Sequence, residues 1–283
     1  MPFGFPALRR RFAGGKDSLR SVFRLFRKTS TPLRRRHRGR ARSPNKFFTY
    51  YDLRITAQKG VCKNMLLPRG KLIKDEFNPV RMNWLEAIHK LQAGRFSGYL
   101  RCWDLHGWGV VLFVGGQLVA VRFISQHEQL TDEEAFARIF ARSLSGDTML
   151  CIYRLSKELA LHLYGVVCGE VLFAAQQLQL LDIPHLLHTL KHDRFNGCLR
   201  VTAAEDVALI FYEQGSPIGF FHDGGTDLAK DAELSESVAW QPGASVDIIA
   251  GQSELAENLP DLMNALDLPG CWQQAVARVA QDR

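Results

Sequence analysis

The chain has 283 residues, 46% of them apolar, long enough for one or two globular domains with real cores. No run approaches the roughly 18 consecutive apolar residues of a membrane span, and the six cysteines include no CxxC pair, which argues against a disulfide framework and fits a reducing cytoplasm. The net charge of +7 averages two unlike pieces: residues 1–81 hold 22 Lys+Arg against 4 Asp+Glu, and the rest hold 14 against 25.

Residues 1–81 therefore read as a basic tail on an acidic body. From Met1 to about Pro44 the chain is rich in Arg, Ser, Gly and Pro, too polar to fold alone. Within it Leu19, Val22, Phe23 and Phe26 recur at helical spacing among Arg20, Arg24, Arg27 and Lys28, and Asp17 stands at the N-cap position. Such a basic amphipathic helix fits an anionic membrane surface, and the run Arg34–Arg40 fits phosphate neutralisation. A mitochondrial presequence has the same composition. A simpler reading is a disordered or non-native extension, because Met82 stands directly before a capped helix: Asn83 is a good N-cap and Glu86 completes a capping box.

Residues 82–168 then read as a first unit and 169–250 as a second, with C-terminal helices in 251–283. Each unit opens on a helix-period segment, Trp84, Leu85, Ile88 and Leu91 in the first and Ile183, Leu187 and Leu190 in the second. Then come RFSGYLR (Arg95 to Arg101) and RFNGCLR (Arg194 to Arg200). Apolar runs follow, Gly109 to Val114 and Val207 to Tyr212, then Gly turns at Gly115-Gly116 and Gly215, then Leu118 to Phe123 and Pro217 to Phe221. The shared order of these features predicts a tandem duplication. The fold class expected is α+β: two repeats, each a small, mainly antiparallel sheet with flanking helices, packed as a pseudo-symmetric pair.

In the first unit Thr131-Asp132-Glu133-Glu134 reads as a capping box for a second helix, Gly146-Asp147 ends it, and Thr148 to Leu155 forms a strand. Ser156 to about Cys168 bridges the units, and Asp182 caps the next helix. The second unit departs after Phe221, where a short acidic stretch leaves only a turn or two of helix before a strand at Ala244 to Ile249. Leu268-Pro269-Gly270 separates two helical stretches in the tail.

The elements Phe96, Gly98, Leu100, Gly116 and Ala120, and again Phe195, Gly197, Leu199, Gly215 and Gly219, resemble the PATAN (PatA N-terminal) domain family over about residues 83 to 250. The resemblance implies a bacterial regulatory module that binds partner proteins in signalling or in gliding and pilus-based motility, and it argues against a mitochondrial address. No receiver domain accompanies it, and the shortened second helix of the second unit departs from the pattern.

What recurs between the units is Arg, Phe, Gly, Leu and apolar strand residues, with no plausible nucleophile, general base or metal ligand. Gly of F-x-G-x-L is expected to supply positive φ or close backbone approach, with Phe and Leu in the core. His185, His188 and His192 share a helix face nearly opposite Ile183, Leu187 and Leu190, so they are expected in solvent and not on a metal. No loop has a P-loop or dinucleotide pattern and no G-x-S-x-G occurs, so neither a cofactor nor an enzyme activity is expected. Trp103 and Trp108 flank a hairpin tip at Asp104-Leu105-His106-Gly107, either as interface anchors or as a structural cap over the sheet. The function expected is a non-enzymatic protein–protein interaction module, its candidate surface Arg95, Trp103, His106, Trp108 and Arg122. The alternative is a nucleic-acid or anionic-membrane binder acting through the basic tail.

Overall fold

The computed structural model describes residues 67–204, 206–230, 237–251 and 259–281. The amphipathic segment 17–28 and the basic run 34–40 lie outside the described residues. In chain order the strands are β1 (Lys71–Phe77), β2 (Gly98–Trp103), β3 (Gly107–Val114), β4 (Gln117–Ser125), β5 (Gln129–Thr131), β6 (Met149–Arg154), β7 (Glu170–Gln177), β8 (Gly197–Ala203), β9 (Asp206–Glu213), β10 (Ser216–His222) and β11 (Ser245–Ala250). The helices are α1 (Trp84–Ala93), α2 (Asp132–Ser145), α3 (Lys157–Cys168), α4 (Ile183–His192), α5 (Leu262–Ala265) and α6 (Leu268–Gln281). None of them is long and apolar enough to cross a membrane.

The strands form two antiparallel sheets, ordered β1-β6-β2-β3-β4-β5 and β10-β9-β8-β11-β7, so the fold is α+β. Read from its β7 edge, the second sheet places β7, β11, β8, β9 and β10 in the order that β1, β6, β2, β3 and β4 take in the first. Strand alternation divides each sheet between two cores. Leu100, Val111, Phe113, Val121 and Leu150 pack under Trp84, Ile88, Phe136 and Phe140 of α1 and α2, and α6 adds Leu268, Cys271 and Ala275. The opposite face of the same sheet, with Tyr99, Val110, Leu112 and Tyr153, meets Leu159, Leu163 and Val166 of α3. From its other side α3 is covered by Cys198, Leu209, Phe211 and Ile249 of the second sheet. The outer face of that sheet, with Leu199, Val201, Ile210, Val246 and Ile248, packs on Ile183, Leu187 and Leu190 of α4. The layers run helices, sheet, α3, sheet, α4.

Ser156 caps α3, its hydroxyl accepting from the Leu159 amide at 3.2 Å, and Leu159, Ala160 and Leu163 are fully buried. Each buried leucine contributes about 1.5–3 kcal/mol. Asn83 and Asp182 cap α1 and α4 by accepting from the amides of Glu86 (3.2 Å) and His185 (3.1 Å).

Several expectations need correction. The tail does not extend to residue 81: Lys71–Phe77 is the edge strand of the first sheet, paired with β6, and Tyr99 donates its hydroxyl to the Pro68 carbonyl at 2.5 Å. A chain starting at Met82 would lack that strand. Thr131 stands at the start of α2 without capping it through its side chain, because β5 ties it to Arg122 of β4 and Asp132 turns to a φ of +49°. Leu268-Pro269-Gly270 is the first turn of α6 and not a break, since Asp267 accepts from the Gly270 amide at 2.9 Å and a first-turn proline loses no helical hydrogen bond. The strand β7 follows α3 directly, where no strand was expected.

Candidate functional site: free sheet edges and the cleft between the sheets

The two RFxGxLR strings form the same turn. After α1, Phe96 donates to the Leu91 carbonyl and Arg95 to Gln92; after α4, Phe195 donates to Leu190 and Arg194 to Lys191. These are Schellman bonds, and the residue in the left-handed position is Arg in both, with φ of +47° and +50°. Gly98 and Gly197 follow with φ of +143° and +154°, where a Cβ would strike the carbonyl oxygens of Tyr153 and Ile249. Gly116 and Gly215 approach the helix ends, donating to the Phe96 and Phe195 carbonyls at 2.7 and 2.8 Å. The residue between Phe and Gly also has one task in both strings: Ser97 Oγ accepts from the Gly115 amide and Asn196 Oδ1 from the Gln214 amide, each at 2.8 Å. Phe96, Leu100 and Leu199 are buried and Phe195 partly so.

The candidate surface read from the sequence is not assembled. Arg95 is exposed at the start of β2, and the β2–β3 hairpin lies at the other end, roughly 17 Å away along the strand. Trp108 pairs with Trp103 across the hairpin but is only 4% exposed, in the α3-side core with Val110 and Leu112, so it offers no face to a partner. Trp103 is partly buried, with the Arg101 guanidinium 5.5 Å from its ring centre. His106 and Leu105 are exposed at a tip that Asp104 holds, accepting from the amides of His106 (2.7 Å) and Gly107 (3.1 Å) while paired with Arg142 of α2 at 3.0 Å. Arg122 lies on β4, away from the tip, lining a cleft. His185, His188 and His192 are exposed on α4, and no cluster of three metal-ligating side chains exists among the described residues.

The edge strands were not legible as sites. All eight residues of β7 are exposed, among them Val171, Leu172 and, at 58%, Phe173; Leu180, 81% exposed, follows in the next turn. β1 also exposes Leu72 and Ile73, but it carries Lys71, Lys74, Asp75 and Glu76, charges that discourage pairing with another chain. β7 has only Glu170. Its register with β11 breaks on either side of Ile248, and Ala175 sits at a φ of +50°. Those irregularities make β7 a poor template for a further strand and leave its side chains as what it offers.

The bulge at Ala175 is held from within. Asp247, 8% exposed, accepts from the Ala175 amide at 2.6 Å and from Arg200 Nε at 2.8 Å, and Arg200 is 3% exposed. Arg200 and Asp247 face each other across β8 and β11, toward the first sheet. Between the sheets, past the C-terminal end of α3, lies a cleft of about 800 Å³. Arg122, Ile124 and Leu130 line it from the first sheet, Val166 and Val167 from α3, and the Arg200–Asp247 pair, Thr202, Ser245 and β7 from the second. The Cys168 thiol is pushed up by burial, against the opposing pull of the adjacent Arg122 guanidinium; burial likewise raises Tyr164 beside it and takes Cys198 to about 12. These thiols stay protonated near neutrality and none has the electropositive exposure of a reactive thiolate.

No protein-family model, curated protein or solved structure matches the chain.

Proposed function

We infer that the chain is a non-enzymatic protein–protein interaction module, built from two tandem copies of a PATAN-like unit and serving bacterial signalling or surface-motility regulation in the cytoplasm. Duplication is supported by the parallel strand orders, by the matched left-handed arginines and by the Ser97 and Asn196 side chains, which hold equivalent amides. What recurs is turn and core chemistry, so the copies share a shape and not a reactive group.

The observation that carries the docking role is the apolar edge formed by Leu172, Phe173 and Leu180, side chains that the protein leaves in water. The partner this edge fits is a protein segment presenting apolar side chains, an amphipathic helix in preference to an added strand, because the β7 backbone is bulged. The test is a photo-crosslinking amino acid placed at position 173 or 180 of the full chain in its native host, with position 105 as control. One discrete adduct from 173 and 180, absent at 105, followed by loss of the reconstituted complex on Phe173→Lys, is the expected result. Survival of that complex in the Phe173→Lys protein would remove the edge from the reading.

A further inference from the structure

We propose that the cleft between the sheets binds a small amphiphilic anion, its carboxylate or phosphate head taken by Arg122 and its apolar body lying along Val166, Val171 and Ile249. This does not rest on docking at the β7 edge.

Four observations lead there. First, α3 fills the space between the sheets only as far as Cys168, and the strands beyond it enclose about 800 Å³, within the range of small-molecule sites. Second, the lining is mixed, with aliphatic side chains from α3 and both sheets beside polar groups that converge from opposite sheets. Third, the buried carboxylate there is already committed: Asp247 is saturated by Arg200 and the Ala175 amide, so that pair is a neutral, built-in wall. Fourth, Arg122 enters from the facing sheet and forms no ion pair among the described residues; the Cys168 thiol, held neutral by burial, lies beside it, with the Tyr164 hydroxyl and the exposed carboxylate of Asp132 close by. The lining itself thus carries one positive charge in excess, Asp132 standing outside it, in a body where acids outnumber bases 25 to 14 beyond residue 81. A planar guanidinium over aliphatic walls selects an oxyanion with a hydrocarbon body, because the fork accepts carboxylate and phosphate oxygens in pairs.

Isothermal titration calorimetry of the full chain tests this with four probes: octanoate, octyl phosphate, octanol and inorganic phosphate. One or both octyl anions should bind, at least about tenfold tighter than octanol or phosphate alone. The tighter of the two identifies the head group. Arg122→Gln should weaken anion binding about tenfold or more and leave octanol unchanged, with Arg122→Lys between. Ala174→Trp, which fills the cleft and leaves every charge in place, should abolish binding of all octyl probes. Anions that bind equally to wild type and Arg122→Gln, that survive Ala174→Trp, or that bind no better than octanol would each overturn the assignment, as would the absence of any anion binding. Docking at Phe173 and Leu180 is scored by crosslinking, so the failure of one reading is separable from that of the other.

Discussion

Arg69 and Asp223, 154 positions apart in sequence, meet in a two-pronged contact, Nη2 at 2.7 Å and Nε at 2.8 Å from Oδ2, and the Arg69 amide donates to Oδ1 at 2.7 Å. The Gly224 amide returns a bond to the Arg69 carbonyl at 2.6 Å. Together these fasten the segment entering β1 to the turn leaving β10, joining the two sheets at the margin away from the cleft. Asp223 holds Arg69 above its ordinary pKa through this bond. Both side chains are partly solvated, so Asp223→Ala should cost only about 1 kcal/mol in urea unfolding. It should also hasten proteolysis near Arg69; unchanged cleavage there would show that the clasp does not hold the segment.

The left-handed arginines predict an asymmetry between neighbours. Arg95→Gly and Arg194→Gly relieve the steric cost of positive φ and should each stabilise by about 0.5–1 kcal/mol after the entropy that glycine adds to the unfolded chain. Gly98→Ala and Gly197→Ala drive a methyl into a carbonyl of the neighbouring strand and should each destabilise by about 2–4 kcal/mol. Denaturation midpoints of the four variants decide the matter, and stabilisation by either alanine would contradict the turn geometry.

The Arg200–Asp247 pair should behave as buried ions do. Asp247→Asn leaves a charged guanidinium in the interior, removes the better acceptor for the Ala175 amide, and should cost about 3–5 kcal/mol. Removing both charges with Arg200→Met and Asp247→Leu should restore much of that loss. A double-mutant cycle on unfolding free energies measures the coupling. Additive losses would mean the two side chains are not energetically paired.

His162 on α3 packs against Phe211 of the second sheet, the rings tilted by 40° with centres 5.4 Å apart, and burial lowers its pKa below the ordinary value near 6.5. Above that value both folded and unfolded states hold a neutral ring, and the contribution is flat. As pH falls from about 6.5 toward the lower folded-state pKa, the unfolded chain takes up a proton that the folded one refuses, so stability drops across that window and then levels. Subtracting the pH–stability curve of His162→Phe from that of wild type isolates this step. A difference curve that stays level below pH 6.5 would place the ring in water.

Much of this architecture is legible in the sequence because it is local. Asn83, Ser156 and Asp182 mark helix starts through bonds that span three residues, and RFxGxLR encodes a turn whose parts lie within one another's reach. Features assembled at a distance are not. β1 and β7 expose their apolar residues, so neither burial nor alternation marks them as strands. Asp247 gives no sign that its acceptor oxygens serve Arg200 and Ala175, since only strand pairing brings those groups together. Trp108 was decidable: it opens an apolar run through Val114, and a strand apolar on both faces is covered on both, so its indole is buried whichever way it points. Arg122 sits in the same alternation on β4 and turns toward the cleft, a space created only once α3 separates the sheets.

That single helix has the inner face of each sheet as its only lodging and belongs to neither half. Severing the chain on either side of it would leave one fragment with an oily sheet face and nothing to lay over it. Such a fragment would recruit a sibling to supply the missing cover.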